Sequence, residues 1–261
     1  MKYLSVTETA KKWNLSERSV RNYCALGKIS GAFLTGKTWN IPEDAQKPDR
    51  ANKKAVLPTT LLEVLSAEKR AKLSGGIYHK VQIELTYNSN HIEGSRLTHD
   101  QTRYIFETNT IGIDGGTVKV DDIVETANHF KCIDLIIENA KKPITENFIK
   151  ELHRILKNGT TDARQDWFAV GDYKRLPNTV GDMNTTKPED VAEKMKELLF
   201  EYNTKQEKTF DDLLDFHYRF ECIHPFQDGN GRIGRLLLFK ECLKYNTVPF
   251  IIDEELQLFY Y

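Results

Sequence analysis

Apolar residues along most of this chain recur at intervals of three and four, the period of an amphipathic helix. The pattern predicts helices over Thr60 to Leu73, Ile77 to about Ser89, Thr98 to about Thr108 and Asp121 to Ala140. It predicts more over Thr145 to Lys157, Pro188 to Thr204, Asp211 to Ile223 and Asn230 to Tyr245. In the longest of them, Ile123, Ala127, Phe130, Cys132, Leu135 and Ile136 mark the expected buried side. Thr145-Glu146-Asn147 reads as a cap, Pro188 suits a first helical turn, and Gly75-Gly76 is a stop. Ile111 to Val120 is glycine-rich and reads as a loop. One stretch breaks the habit. Between Trp167 and Met183, Gly171, Pro177 and Gly181 punctuate Tyr173, Thr179 and Val180, which predicts a β-hairpin.

The first 54 residues have a shorter rhythm. Ser5, with Glu8 three residues on, caps a helix whose apolar face continues through Ala10 and Trp13. Asn14-Leu15 turns the chain, Ser16 caps a second helix, and Gly27 ends it. Ile29 to Ile41, broken at Gly31 and Gly36, predicts a small hairpin or wing. Residues 43–58 are polar with prolines near both ends, as in a linker. The expected fold class is therefore mainly α, with a small domain at 1–54 and a helical domain at 55–261.

Composition narrows the class. With 261 residues, 39% hydrophobic and 29% charged, the chain can bury a sizeable core. No apolar run is long enough to span a bilayer, and residues 1–20 are unlike a signal peptide, so no membrane partner is expected. Four scattered cysteines argue for reduced thiols and a cytoplasmic location, and there is no Cys-x-x-Cys or His-Glu-x-x-His spacing for zinc. The net charge of −1 is unevenly spread. Residues 1–57 hold 11 Lys/Arg and 5 Asp/Glu, a net of +6 that would suit a polyanion.

The densest chemistry lies at residues 224–235, which read His-Pro-Phe-Gln-Asp-Gly-Asn-Gly-Arg-Ile-Gly-Arg and run straight into an amphipathic stretch. Such a loop suits delivery of a triphosphate to a helix N-terminus, where unpaired N–H groups favour an anion. Gly229 and Gly231 let backbone approach phosphate oxygens. Arg232 and Arg235, three apart, project from neighbouring positions and can fork phosphate. Asp228 can hold Mg²⁺, which takes one or two carboxylates plus phosphates. His224 can accept a proton near neutral pH.

This string resembles the signature of Fic-domain enzymes, His-x-Phe-x-(Asp/Glu)-Gly-Asn-Gly-Arg-x-x-Arg, at every fixed position. The resemblance implies transfer of AMP from ATP to a Tyr, Ser or Thr hydroxyl of a target protein, which can be the enzyme itself. His224 would be the base, and Asp228 would hold Mg²⁺. Gly229, Asn230 and Gly231 would form the anion hole, Arg232 and Arg235 would fix the β- and γ-phosphates, and Phe226 would anchor the loop. Upstream, Ser89-x-x-x-Glu93-Gly94 resembles the family's inhibitory motif, (Ser/Thr)-x-x-x-Glu-(Gly/Asn), in the position called class II. Glu93 would pair with Arg235 and deny it to the γ-phosphate. Gly171-Asp172-Tyr173-Lys174-Arg175 is similar to the family's flap, a hairpin that holds the target backbone by β-augmentation.

The two short helices and wing resemble the DNA-binding fold of the MerR and excisionase families. Arg18, Arg21 and Asn22 would face the major groove of double-stranded DNA, with Lys28 and Lys37 on phosphates. Two other roles stay open: removal of AMP with Glu93 orienting water, and a DNA-binding regulator whose Fic domain senses nucleotide. A second copy of the chain is a further expected partner. Ile251, Ile252, Leu256, Leu258, Phe259 and Tyr260 form an apolar end that would prefer burial: on the domain, in an oligomer interface, or under further helix if the chain is truncated.

Overall fold

A computed structural model describes residues 2–48, 58–113, 116–181 and 183–252. Most of the expected linker, at 49–57, and the apolar end from Leu256 to Tyr260 lie outside the described residues. The chain divides into two compact units, Met1–Leu57 and Pro58–Tyr261, against an expected boundary after residue 54.

In the first unit, strand β1 (Tyr3–Leu4) leads into helix α1 (Val6–Trp13), then α2 (Glu17–Ala25), β2 (Phe33–Thr35) and β3 (Thr38–Pro42). Ser5 and Glu8 close the expected capping box, and Ser16 caps α2 by accepting from the Ser19 N–H. Asn14 takes the left-handed conformation at the turn between the helices. The wing pairs Phe33 with Asn40 and Thr35 with Thr38. The sequence pattern missed β1, which adds a third antiparallel strand through Leu4 opposite Ile41. Val20 and Ile41 are fully buried at the centre of a small core with Val6, Ala10, Trp13, Cys24 and Ile29.

The second unit is helical. Its elements are α3 (Leu61–Ala71), α4 (Ile77–Ile92), α5 (His99–Thr108), α6 (Val120–Asn139) and α7 (Glu146–Lys157). There follow a short hairpin, β4 (Thr179–Val180) and β5 (Met183–Asn184), then α8 (Pro188–Thr204), α9 (Phe210–Ile223) and α10 (Asn230–Lys244). Thr60, Thr98 and Thr209 each head a capping box. Every residue of α10 from Asn230 to Leu243 is buried, and α3, α4, α6, α7 and α9 pack around it. A helix buried on all sides is normally apolar all round. This one carries two arginines, Lys240 and Glu241, so each needs an internal partner. Lys240 donates to the Ala140 and Lys142 carbonyls and to Glu241, which also accepts from the Tyr202 hydroxyl. The arginines find their partners at the site below.

The structure extends one expectation and corrects another. The buried side of α6 runs through Thr126, Asn128, His129, Phe130, Cys132, Ile133, Ile136 and Ile137, while Ile123, Ala127 and Leu135 are half-buried and pack against the core from its margin. The helix packs against α4, α5, α7 and α10, and part of its inner face is polar, which a count of apolar residues overlooks. The hairpin also falls later than expected. Residues 171–175 form no strand; pairing is confined to Thr179 with Asn184 and Val180 with Met183. The Gly171 and Lys174 N–H groups are spent on His153 Nδ1 and the Pro225 carbonyl, so this stretch is tied to the domain instead of to a partner strand.

Candidate active site

The loop from His224 to Gly229 joins α9 to the N-terminus of α10, and two left-handed residues bracket it. His224 ends α9 at φ 51°, and Gly229 starts α10 at φ 83°. A Cβ at Gly229 would also lie 3.3 Å from Leu156 Cδ2, so glycine serves both the angle and the fit. Phe226 is fully buried, its ring stacked on His153 with centroids 4.0 Å apart and planes 2° from parallel. His153 Nδ1 accepts from the Gly171 N–H at 2.8 Å, which leaves Nε2 to donate to the Asp228 carbonyl at 3.2 Å. Burial pushes this imidazole down to about 3, so it stays neutral.

Asn230 was expected to face the α-phosphate. Its amide is instead committed to the loop: Oδ1 accepts from the Phe226 N–H at 2.7 Å and Nδ2 donates to the Phe226 carbonyl at 2.8 Å. The backbone N–H groups at the start of α10 remain the anion-binding feature of this stretch.

The two arginines diverge. Arg232 turns to carboxylates inside the domain, Nη1 to Glu125 and Nη2 to Asp228 Oδ2 at 3.1 Å. Lys157, 2% exposed, lies 2.5 Å from Glu125 Oε1, 2.6 Å from Asp228 Oδ2 and 3.3 Å from Asp162. Burial alone would raise the Asp228 carboxyl; Arg232 and Lys157 outweigh it and hold the group well below the usual carboxylate range. The Asp228 side chain is nevertheless 43% exposed. Among the described residues no group of three or more His, Cys, Asp or Glu could hold a metal by itself. One ionised, partly open carboxylate fits Mg²⁺ delivered with nucleotide phosphates.

Arg235 turns the other way. Its Nε donates to Ser89 Oγ at 2.9 Å, and Nη2 to the Ser89 carbonyl at 2.9 Å and to Glu93 Oε1 at 2.6 Å. Ser89 and Glu93 lie one helical turn apart at the end of α4, with Glu93 as C-cap. Gly94 follows at φ 88°, with the Gly94 N–H bonded to the His91 carbonyl and the Ser95 N–H to the Asn90 carbonyl, a Schellman close. Gly231 makes the approach feasible, since a Cβ there would lie 2.3 Å from Glu93 Oε1. Thus Ser89 and Glu93, from the motif at 89–94, meet the last arginine of the loop.

His224 is half-buried. Burial, and then the Lys174 ammonium, hold its imidazole below the ordinary value. Its Nδ1 lies 3.9 Å from Glu221, whose carboxyl is pushed up to about 7 by burial and by Glu93, against the pull of Arg235. Lys174 is buried too, with Nζ on Asn178 Oδ1 and Thr185 Oγ1 at 2.6 Å each, and burial pushes it down to about 8. Asn178 Nδ2 donates to the Phe226 carbonyl and the Leu176 N–H to Gln227 Oε1, so the root of the hairpin is stitched to the loop. Asp172 pairs with Lys150, and Arg175 donates to the Asp166 carbonyl. In the first unit, Arg18, Arg21, Asn22, Lys28 and Lys37 are all exposed, though Arg21 is paired with Glu17 at 2.8 Å.

Residues 143–241 match the model of the Fic/DOC family. The chain carries a Fic domain. It is 29% identical over 222 residues to the protein adenylyltransferase Fic of Aedes aegypti, across 84% of this chain and 42% of that protein. It is 32% identical over 214 residues to the protein of the same name from Drosophila willistoni, across 80% and 40%. The chain therefore spans about two fifths of the length of these curated relatives. A Fic domain containing signaling protein from Bacteroides thetaiotaomicron superposes with a TM-score of 0.63 at 29% identity, over 76% of this chain and 78% of that one.

Sequence reasoning missed Glu125, Lys157, His153 and Glu221. The signal for Lys157 was present: it extends the buried stripe Ile149, Leu152, His153 and Leu156 of α7, where a lysine demands an internal anion.

Proposed function

We propose that this Fic domain transfers AMP from ATP to a hydroxyl of a protein target and is restrained by Glu93. The observation that carries the reading is the contact between Glu93 and Arg235, beside a loop that places His224, Asp228 and the α10 N-terminus together. In the reaction, the target hydroxyl gives its proton to His224. Its oxygen bonds to the α-phosphorus, and the electron pair of the breaking bond leaves with pyrophosphate. A depressed imidazole is already in base form at neutral pH, as this role needs. Asp228 would hold Mg²⁺, which when bound neutralises charge on the phosphates. The backbone N–H groups of the α10 start stabilise charge on the α-phosphate. Arg235 would clamp the γ-phosphate once Glu93 releases it. The short hairpin at β4 and β5, rooted on the loop through Asn178, would hold the target backbone by strand addition.

The same Glu93 carboxylate, aimed from the C-cap of α4, supports a second reading. It could orient a water that removes AMP from a modified protein. Four free cysteines suit a reducing cytoplasm, and among the described residues no helix is long and apolar enough to cross a membrane. The exposed cations of α2 and the wing would let the first unit meet the phosphates of double-stranded DNA.

The test compares ATP labelled on the α-phosphate with ATP labelled on the γ-phosphate. Protein labelled only from the α position supports AMP transfer, and loss of that label in His224→Ala assigns the base. Label from the γ position would replace the reading with phosphoryl transfer.

A further inference from the structure

Four charges beneath the loop interlock in a way that the signature does not describe, with the partly exposed Asp162 touching Lys157 at 3.3 Å. Glu125 is shared, Oε1 on Lys157 and Oε2 on Arg232, and these are the two cations that also grip Asp228 Oδ2. Three of the four side chains are enclosed: Lys157 is 2% exposed, Arg232 4%, and the Glu125 side chain 13%. Only Asp228 opens outward.

The physical consequence concerns Asp228. Without Glu125, Arg232 would have Asp228 alone, and Lys157 only Asp228 and the partly exposed Asp162 at 3.3 Å, so the two cations would claim most of the Asp228 charge, because an uncompensated buried charge is costly. A carboxylate held in that way is a poor ligand for a further cation. Glu125 supplies the second anion, so the two cations orient Asp228 through one oxygen without consuming its charge.

We propose that Glu125 is a positioning residue for divalent-cation binding at Asp228, acting by sharing Lys157 and Arg232. The inference rests on the reading of Asp228 as the metal-holding carboxylate and goes beyond it, since Glu125 lies on α6, 107 residues away from Arg232. It separates the two arginines by task. Arg232 belongs to the enclosed set that aims Asp228, whereas Arg235 has a partner at a helix terminus that can be exchanged for phosphate.

The experiment measures Mn²⁺ binding by loss of the free-ion electron paramagnetic resonance signal, in the full chain with α,β-methylene-ATP. It requires no AMP transfer. Changes in residues that orient a metal ligand typically weaken metal binding by about 10- to 100-fold. Glu125→Gln is expected to weaken Mn²⁺ by about tenfold or more. Glu125→Asp, which keeps the charge, is expected to stay within about threefold of wild type, well below that range. Glu125→Gln/Lys157→Met, which removes one anion and one cation, should recover most of the loss. A structural role alone would lower thermal stability in all three variants and give no such recovery. Unchanged Mn²⁺ affinity in folded Glu125→Gln overturns the inference, as does wild type that binds nucleotide without Mn²⁺. If Glu93→Gly transfers no AMP while Glu125→Gln still weakens Mn²⁺, the positioning role stands and the proposed activity falls.

Discussion

Arg235 Nη2 and Glu93 Oε1 lie 2.6 Å apart, joining the last arginine of the phosphate-binding loop to the C-cap of a helix 142 residues earlier. The guanidinium is buried and the carboxylate only partly so. A buried arginine needs an anion, and either this carboxylate or a nucleotide phosphate can serve. Competition between two anions for one guanidinium is thus built into the packing of α4 on α10.

Ser89 shares in that hold. Ser89→Ala removes the Nε bond and leaves the one to the Ser89 carbonyl. A hydrogen bond to a charged group contributes about 1.5–3 kcal/mol, part of which the remaining contacts retain. Labelling from ATP should rise by about three- to tenfold, less than when Glu93 is removed. A rise larger than that of Glu93→Gly would place the restraint on the serine.

The pH profile should report Lys174. Burial and the Lys174 ammonium both disfavour protonated His224, so the acid limb of kcat/KM in Glu93→Gly should inflect below the ordinary imidazole value of 6.5. Lys174→Gln removes the cation and should move that limb to higher pH, whereas Lys174→Arg should leave it in place. An unmoved limb in Lys174→Gln would show that burial alone sets the base.

Acid should unfold the helical unit steeply. Burial holds His129 and His153 down to about 3 and His217 to about 4. Below pH 6.5 the unfolded chain binds protons at these sites that the folded chain refuses, so stability falls as pH falls. Each site contributes a slope of up to about 1.4 kcal/mol per pH unit, so three give a slope of up to about 4 kcal/mol per pH unit between pH 6 and 4. Urea midpoints measured across that window check the slope, and His153→Gln should reduce it by about a third. Midpoints that do not change with pH would contradict the burial of these rings.

For the first unit, a gel-shift series with the full chain and duplex DNA tests the exposed cations. Binding should weaken as salt rises, and Lys28→Ala or Lys37→Ala should each reduce the salt slope by about one. No shift at low salt would remove DNA from the account.

The helices were legible from period and caps, because Ser and Thr caps act within four residues and apolar stripes within one element. The loop from His224 to Arg235 was legible because its chemistry is contiguous. Glu125 and Lys157 were not, since their partnership depends on how α6, α7 and α10 pack. The inner face of α6 was legible only in part: its six expected apolar residues are buried or pack against a core, while the buried polar residues Thr126, Asn128 and His129 are ones that apolar periodicity counts as surface. Asn230 shows the converse limit. Its place in the signature suggested contact with phosphate, while its amide closes the loop on Phe226.

Transfer of α-labelled phosphate to protein by Glu93→Gly, set against wild type at saturating ATP and Mg²⁺, tests the restraint most directly. Replacing the carboxylate should raise the initial rate by about 10- to 100-fold, the equivalent of one charge-assisted hydrogen bond. Equal rates in the two proteins, with label present in both, would contradict inhibition through Arg235.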